Sequence, residues 1–296
     1  MNPEMTSTQR PIDALGRSTA LDGLADAVQP ALRKWLEGTD GAQRPIKDLL
    51  HGTWLGHPLH PLITDIPIGA WTVTAVCDAL DLLGVKRFRD AADIALVIGE
   101  VGAWGAAITG LADWSDTKDE PKRVGALHAI LNATGSTCYT ASFIARRVKA
   151  RRLGIALAFA GYGIITAAAY LGGELSMGMN LGAKHTAIPI EPSNHFVRVA
   201  DDASLGDDKM LAGDAKGVPV ILARRNGKPK AVSGVCTHRG APLADGTYAD
   251  GCVTCPWHAS RFSVDDGRVL EGPATFPLAS FETRVADGGI SVRPIT

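Results

Sequence analysis

An excess of charge of either sign is what this sequence most plainly lacks. Its 30 Lys and Arg meet 31 Asp and Glu, for a formal net charge of −1. With no basic excess to gather a phosphate backbone, nucleic acid is excluded as a partner. Residues 1–20 lack an apolar core, so no N-terminal signal peptide is expected. Charge is also missing locally. Hydrophobic residues make up 46% of the chain, an ordinary value, but the average hides three zones. Residues 1–50 are polar, 62–172 are very apolar, and 194–296 read as ordinary globular sequence. A length of 296 residues fits two domains.

The apolar zone reads as membrane. Val124 to Ala145 is 22 residues without Asp, Glu, Lys or Arg, and Leu153 to Leu171 is another 19. Ile94 to Ala112 carries only Glu100. A span needs about 20 apolar residues. Leu62 to Leu83 is weaker, because Asp65, Asp78 and Asp81 interrupt it. Together these segments predict four spans with both termini on one side, rather than a buried soluble bundle. Gly102, Ala106 and Gly110 recur four apart, as do Gly99, Ala103 and Ala107, which predicts close helix contact. Asn132, Thr134, Ser136, Thr137 and Thr140 predict that the third span faces the bundle interior. Glu100 falls near mid-membrane, where a carboxylate is costly: it is a functional group or a protonated packing group. Ahead of the spans, Leu21, Leu24, Val28, Leu32 and Trp35 predict an amphipathic helix over 19–36, weakened by Pro30. It would lie on the membrane surface or pack on a partner.

Beyond the spans stand two short motifs. Cys236 and His238 are two apart, and Cys255 and His258 are three apart. Two thiolates and two imidazoles at this spacing suit a 2Fe–2S centre in which two His replace two Cys on one iron. Zinc is the rival reading, since Cys252 and Cys255 form a Cys-x2-Cys pair; otherwise Cys252 is a buried small hydrophobe. The runs Cys236-Thr-His-Arg-Gly-Ala-Pro-Leu243 and Cys255-Pro-Trp-His-Ala-Ser-Arg-Phe262, with Asp266 to Ala274 following, resemble the Rieske ferredoxin family over roughly 194–296. The resemblance implies an all-β domain, with Cys236 and Cys255 on the buried iron and His238 and His258 on the outer one. The strand reading is Phe196–Ala200, Val218–Arg224, Lys230–Val235, Phe281–Val285 and Ile290–Val292. Gly272-Pro273 resembles the family's covering loop. Respiratory Rieske proteins have a disulfide between the cluster loops, where this chain has Ala241 and Trp257. Ser260 keeps a hydroxyl that could donate to a cluster sulfur, while Phe262 stands where those proteins have Tyr. Fewer hydrogen bonds to sulfur predict a potential below the respiratory type.

With four antiparallel spans, His57, His60, Asp65, Asp113, Trp114, His128, Glu174 and His185 share one membrane face; His51 is left outside that group. His57-Pro-Leu-His-Pro61, Gly110-Leu-Ala-Asp-Trp114, Leu127-His128 and Gly172-Gly-Glu174 resemble a family of four-helix bacterial membrane proteins of unassigned function, over about 45–185. Read physically, His57, His60, Asp65 and His128 are a candidate haem, metal or quinone site. His60 and His128 would be the axial pair of a b-type haem, Asp65 would complete a metal site, or a His would exchange the quinol proton. The alternative is interfacial hydrogen bonding alone.

The expected architecture is therefore multi-domain, α plus β. A polar segment (1–50) precedes a four-span transmembrane helix bundle (51–185). A linker (186–193), stiffened at Ile188-Pro-Ile-Glu-Pro192, leads to an all-β Rieske domain (194–296). The expected role is one-electron transfer between a membrane redox site and a protein partner, with an electron-transfer protein favoured over a stand-alone enzyme. The alternatives are a supplier of electrons to a separate oxygenase and a subunit of a quinol oxidoreductase. Only 38 residues follow His258, which leaves no expected room downstream for an oxygenase iron site. The expected location is a bacterial inner membrane. Lys86, Arg87, Arg89 and the basic run 146–152 place those loops in the cytoplasm and the cluster outside. Arg151-Arg152-Leu153 would serve as an internal twin-arginine signal. The missing disulfide argues for the cytoplasm instead.

Overall fold

In the computed structural model the described residues are 14, 16–37, 45–185, 195–207 and 209–295. They fall into two compact units, one within Met1–Thr39 and Leu59–Leu181, the other within Asp40–Pro58 and Gly182–Thr296. The expected linker 186–193 lies outside the described residues.

The first unit is helical. Helix α1 (Asp22–Glu37) is the amphipathic segment, with Pro30 inside it. Leu21 and Leu32 pack with Ala25, Trp114 and Ala126, whereas Leu24, Val28 and Trp35 stay exposed. The single apolar stripe of the sequence is thus split. Its buried Gln29 donates to the Trp114 carbonyl at 2.8 Å, and the Arg33 Nε to the Ser115 carbonyl at 2.6 Å. These are C-terminal carbonyls of a longer helix, which have no partner within their own helix; α1 caps them.

Four long helices follow the strap-like segment 45–58: α3 (Leu59–Leu82), α4 (Arg89–Ser115), α5 (Asp119–Arg147) and α6 (Arg151–Gly173). The intervening label α2 belongs to Pro45–His51, in the second unit. Three stretches, Leu59–Leu82, Lys86–Ser115 and Arg151–Gly178, are long and apolar enough to cross a membrane. The fourth, α5, has the length, but its hydroxyls and Asn132 make it too polar to meet the same measure.

Close contacts explain the small residues. Rings and aliphatics occupy the places where a Cβ would stand: Trp71 at Gly99, Ile66 and Pro67 at Gly102, His60 at Gly110. The α3-facing side of α4 therefore runs through Gly99, Gly102, Ala106 and Gly110, while Ala107 is exposed. The interior expectation for α5 holds at Ser136, half-buried, whose hydroxyl donates to Glu100 Oε1; Thr140 donates to the same oxygen but is exposed. It fails at Thr134 and Thr137, which are exposed and donate to the carbonyls of Ile130 and Ala133. A hydroxyl can satisfy itself one turn back along its own helix, so polarity alone does not mark an interior face.

The two hairpins repeat one another. His60 and His128 each bond a carbonyl of the next helix, Ala106 and Ala168, and each lies over a glycine, Gly110 and Gly172. Trp71 and Tyr139 occupy matching places against Gly99 and Gly161, and stack on each other at 4.1 Å with 6° between planes. Thr74 donates to the Ala92 carbonyl as Ser142 does to that of Gly154. Thr72 pairs with Tyr162 as Thr140 does with Glu100. Asp78 and Arg146 are the next matched pair, and they form an ion pair with each other. Two of the three carboxylates that interrupt the first apolar segment, Asp78 and Asp81, are therefore neutralised. Asp78 takes Arg146, Asp81 takes Arg89 and Arg151, and Asp93 takes Arg146 and Arg151.

The second unit contains the β-domain. Strands β1 (Val197–Asp201), β2 (Met210–Asp214), β3 (Pro219–Arg225), β4 (Lys228–Ser233), β9 (Ser280–Ala286) and β10 (Gly289–Pro294) form an antiparallel sheet in the order β1-β10-β9-β4-β3-β2. Strands β5 (Thr247–Ala249), β6 (Cys252–Thr254), β7 (Arg261–Ser263) and β8 (Val269–Glu271) form a second sheet in sequence order. Alternation along β3 sends Ile221 and Ala223 to one core, with Val253, Phe262 and Leu278, and Val220 and Leu222 to another, with Phe281 and Ile290. The five strands read from sequence belong to the first sheet. Its β2 and all of the second sheet lie outside that reading; the strands of the second sheet, three residues each, are too short to show alternation.

Candidate metal centre

The two motif loops are built alike. The N–H of Cys236 donates to the Ala241 carbonyl at 2.9 Å, and that of Gly240 returns to the Cys236 carbonyl at 2.9 Å. In the second loop Cys255 donates to Ser260 at 2.8 Å, and Ala259 returns to Cys255 at 3.1 Å. The fourth residue after each Cys has positive φ, +75° at Gly240 and +55° at Ala259. That left-handed turn aims backbone N–H groups inward. Those of His238 and Arg239 reach the Cys236 sulfur, and those of Trp257 and His258 the Cys255 sulfur. The second loop is the tip of the β6–β7 hairpin, and the first is closed by the bridge between Val235 and Pro242.

These loops bring all four side chains together. Cys236 and Cys255 are buried, and their sulfurs lie within hydrogen-bonding reach. The proton shared with Cys236 holds the Cys255 thiol down to about 6, while Cys236 is pushed up. The imidazoles of His238 and His258 stand edge to face, with centroids 5.0 Å apart. Burial first, then the charges of His258, His51, Arg239 and Lys47, hold His238 well below the ordinary imidazole range and hence neutral. Its Nδ1 is buried with no hydrogen-bond partner among the described residues, and the Nδ1 of His258 is buried too. Buried polar atoms are nearly always satisfied, and a metal facing Nδ1 would satisfy this one. Among the described residues, no three His, Cys, Asp or Glu converge on a single-ion site as zinc would need. Two sulfurs and two nitrogens in separate pairs suit two irons. Cys252 lies apart from them, its Sγ 3.7 Å from the Asp250 carbonyl, and it alternates in β6 with the buried Val253.

Around the loops, Ser260 is fully buried and its Oγ accepts the Ala274 N–H at 3.0 Å. Its hydroxyl keeps a hydrogen to donate. Thr237 Oγ1 donates to the Phe276 carbonyl at 2.6 Å, tying the covering segment 272–276 to the first loop. Phe262 is fully buried in the core, and all five cysteines are free thiols.

The membrane candidates are divided between the two units. His57 belongs to the second, with its ring 6.0 Å from that of Phe276, and His60, Asp65 and His128 to the first. The chain enters α3 at Leu59, one residue after Pro58. His185 is likewise in the second unit, its N–H donating to the Thr237 carbonyl at 3.0 Å. Asp65 is exposed on α3, five residues past His60, which turns it about 140° around the helix from that imidazole. His60 and His128 remain together in the first unit. A carbonyl can only accept, so both carry their proton on Nδ1, and each Nε2 keeps its lone pair. Asn132 donates to that of His128 at 3.1 Å. Sequence reasoning missed Lys47, Asp48, His51 and Thr53, which no motif connects to the cluster loops.

Comparison with known proteins agrees with this geometry. A family model described as Rieske [2Fe-2S] domain matches residues 195–282, and one described as Predicted membrane protein (DUF2231) matches 56–185. The chain is 34% identical over 74 residues to Ferredoxin CarAc of Metapseudomonas resinovorans, covering 25% of this chain and 69% of that protein. It is 30% identical over 86 residues to the anthranilate 1,2-dioxygenase ferredoxin subunit of Burkholderia cepacia, covering 29% of this chain and 80% of that protein. Over 73 residues it is 34% identical to the cytochrome b6-f complex iron-sulfur subunit of Chlorobaculum tepidum, covering 25% of this chain and 39% of that protein. Other relatives are far longer: the chain spans 12% of apoptosis-inducing factor 3 of Mus musculus. Among solved structures, the ferredoxin of carbazole 1,9a-dioxygenase from Nocardioides aromaticivorans IC177 is 29% identical, covering 34% of this chain and 100% of that chain, with a TM-score of 0.33. Two congruent loops, four converging ligand-type side chains and the family and ferredoxin sequence matches have one meaning: the chain belongs to the Rieske 2Fe–2S family, an electron-transfer domain with its cluster, joined here to a predicted membrane domain.

Proposed function

We propose that this chain is a membrane-anchored Rieske protein that moves single electrons between a membrane redox site, quinone or haem, and a protein partner. The observation that carries the reading is the convergence of Cys236, Cys255, His238 and His258 in a chain that also holds three helices long and apolar enough to cross a bilayer. Cys236 and Cys255 would hold one iron of the cluster, and His238 and His258 the other. The cluster supplies the one-electron couple. This chain's residues keep water from the sulfurs, aim four backbone N–H groups at them and hold the imidazoles neutral. In this reading α5 is the fourth span, shielded by its neighbours, in a bacterial inner membrane. His60 and His128, matched across the repeated hairpins, are the membrane redox site. Each has its Nδ1–H anchored to a carbonyl, the usual state of a metal-bound imidazole; the Nε2 of His128 takes a hydrogen bond from Asn132, which a bound metal would displace. With no third protein ligand beside them among the described residues, the remaining coordination would come from a haem macrocycle.

A second reading, supply of electrons to a separate oxygenase, is favoured by the likeness to oxygenase ferredoxins and by the absence of a loop disulfide. Detergent purification of the full chain with iron, sulfide and haem analysis, followed by reduction with a quinol analogue, separates them. The first reading expects cluster reduction by quinol and a haem spectrum lost in His60→Ala and His128→Ala. A protein that quinol never reduces, and that carries no haem, contradicts it. A C-terminal alkaline phosphatase fusion decides the side of the cluster.

A further inference from the structure

The segment just ahead of the membrane-family match has no role in the functional reading, yet it lies on the cluster loops. Helix α2 (Pro45–His51) and the 3-10 turn Thr53–Leu55 fall in the same compact unit as the β-domain. Residues 45–55 lie outside both matched families. Two bonds reach the covering segment, across more than 200 residues of sequence: the Gly272 N–H donates to Asp48 Oδ1 at 2.7 Å, and Thr53 Oγ1 to the Ala274 carbonyl at 3.4 Å. The fit is close, since a Cβ on Gly272 would meet both Thr53 Oγ1 and Asp48 Oδ1 within 3 Å. The same covering segment holds Ser260 through Ala274 and Thr237 through Phe276. Segment 45–57, covering segment and cluster loops are thus one hydrogen-bonded stack. At its centre the ring of His51, 3% exposed, stands edge-on to that of His238 at 6.4 Å. His57 closes on Phe276, and His185 lies beside Gly240 on the first loop. On the second loop, Trp257 beside His258 is 56% exposed.

We infer that residues 45–57 are a strap built into the cluster site, which covers the imidazole edge of His238 and leaves the His258 side as the route by which electrons enter and leave. Asp48 and His51 act as positioning residues: Asp48 clamps the strap, and His51 fills the space against His238. A buried Lys47, 1% exposed, adds a cation whose field reaches His238. The inference rests on the Rieske reading.

The test is stopped-flow oxidation of the dithionite-reduced full chain in detergent by ferricyanide, a small hydrophilic oxidant, with hydrogen exchange over residues 45–57 as a second readout. In Asp48→Ala with Thr53→Ala, exchange over 45–57 should rise and oxidation should speed up severalfold. Asp48→Asn, which keeps an acceptor for Gly272, should behave as the parent in both. His51→Ala, with the clamp intact, should speed oxidation without freeing the strap, and it serves alone if the double variant loses its cluster. Oxidation at the parent rate in His51→Ala, or in a double variant whose strap exchanges freely, overturns the inference. A reduced parent without a Rieske EPR signal overturns the cluster reading instead.

Discussion

Replacing Ser260 by Ala tests how this fold sets the potential of its cluster. Ser260 is fully buried, and its Oγ is already an acceptor for the Ala274 N–H. That bond fixes the oxygen and leaves one hydrogen for a cluster sulfur. A hydrogen bond to a charged group contributes about 1.5–3 kcal/mol. Only the part gained when the cluster takes on its extra electron moves the potential. Taking roughly half, ~0.7–1.5 kcal/mol, and about 59 mV per factor of ten for one electron, Ser260→Ala should lower the potential by about 30–60 mV. The sign follows because the donor stabilises the more negative, reduced state. The change also strands the Ala274 N–H, at a cost of about 1–3 kcal/mol in stability. EPR-monitored redox titration of the full chain gives the potential, and urea unfolding gives the stability. A variant with its cluster intact and its potential unchanged would refute the role given to this hydroxyl.

Three further outcomes follow from particular contacts. Asp78→Asn leaves Arg146 with only Asp93 in a site where both original partners are at most 3% exposed, so the helical unit should lose on the order of 3–5 kcal/mol, read as a lower midpoint in detergent unfolding. Gly240→Ala should destabilise the β-domain by about 1 kcal/mol through its left-handed φ, and Ala259→Gly should be neutral or mildly stabilising, both by urea unfolding. Asp22 is held down to about 2, first by its hydrogen bond to Arg123 and then by Lys122. Its folded value is depressed, so its contribution is present above the ordinary 3.8 and lost as pH falls through about 2. Hydrogen exchange over 22–37 should stay slow at pH 4 in the parent and be faster there in Asp22→Asn.

The cluster site was legible because its chemistry is local: Cys, His and their spacing lie within two short loops, and even the matching turn residues Gly240 and Ala259 can be read once the loops are aligned. The long helices were legible from missing charge. What stayed hidden depends on distance along the chain. Asp78 and Asp81 look like faults in a span until Arg89, Arg146 and Arg151 arrive from other helices. The repeat of the two hairpins is carried by contacts and by residue classes, Trp71 with Tyr139 and Thr74 with Ser142, more than by identities. His57 reads as a membrane-side histidine because it precedes a span, and His51 reads as nothing in particular, yet Asp48 and Thr53 hold that stretch on the covering segment. No periodicity announces a contact between residues 48 and 272.

The most direct test of the central claim is EPR of the dithionite-reduced, detergent-purified full chain, with iron and acid-labile sulfide measured on the same preparation. The account predicts two irons and two sulfides per chain and a rhombic signal of Rieske type, abolished in Cys255→Ser and in His258→Ala. An EPR-silent preparation with bound zinc and no sulfide would contradict it.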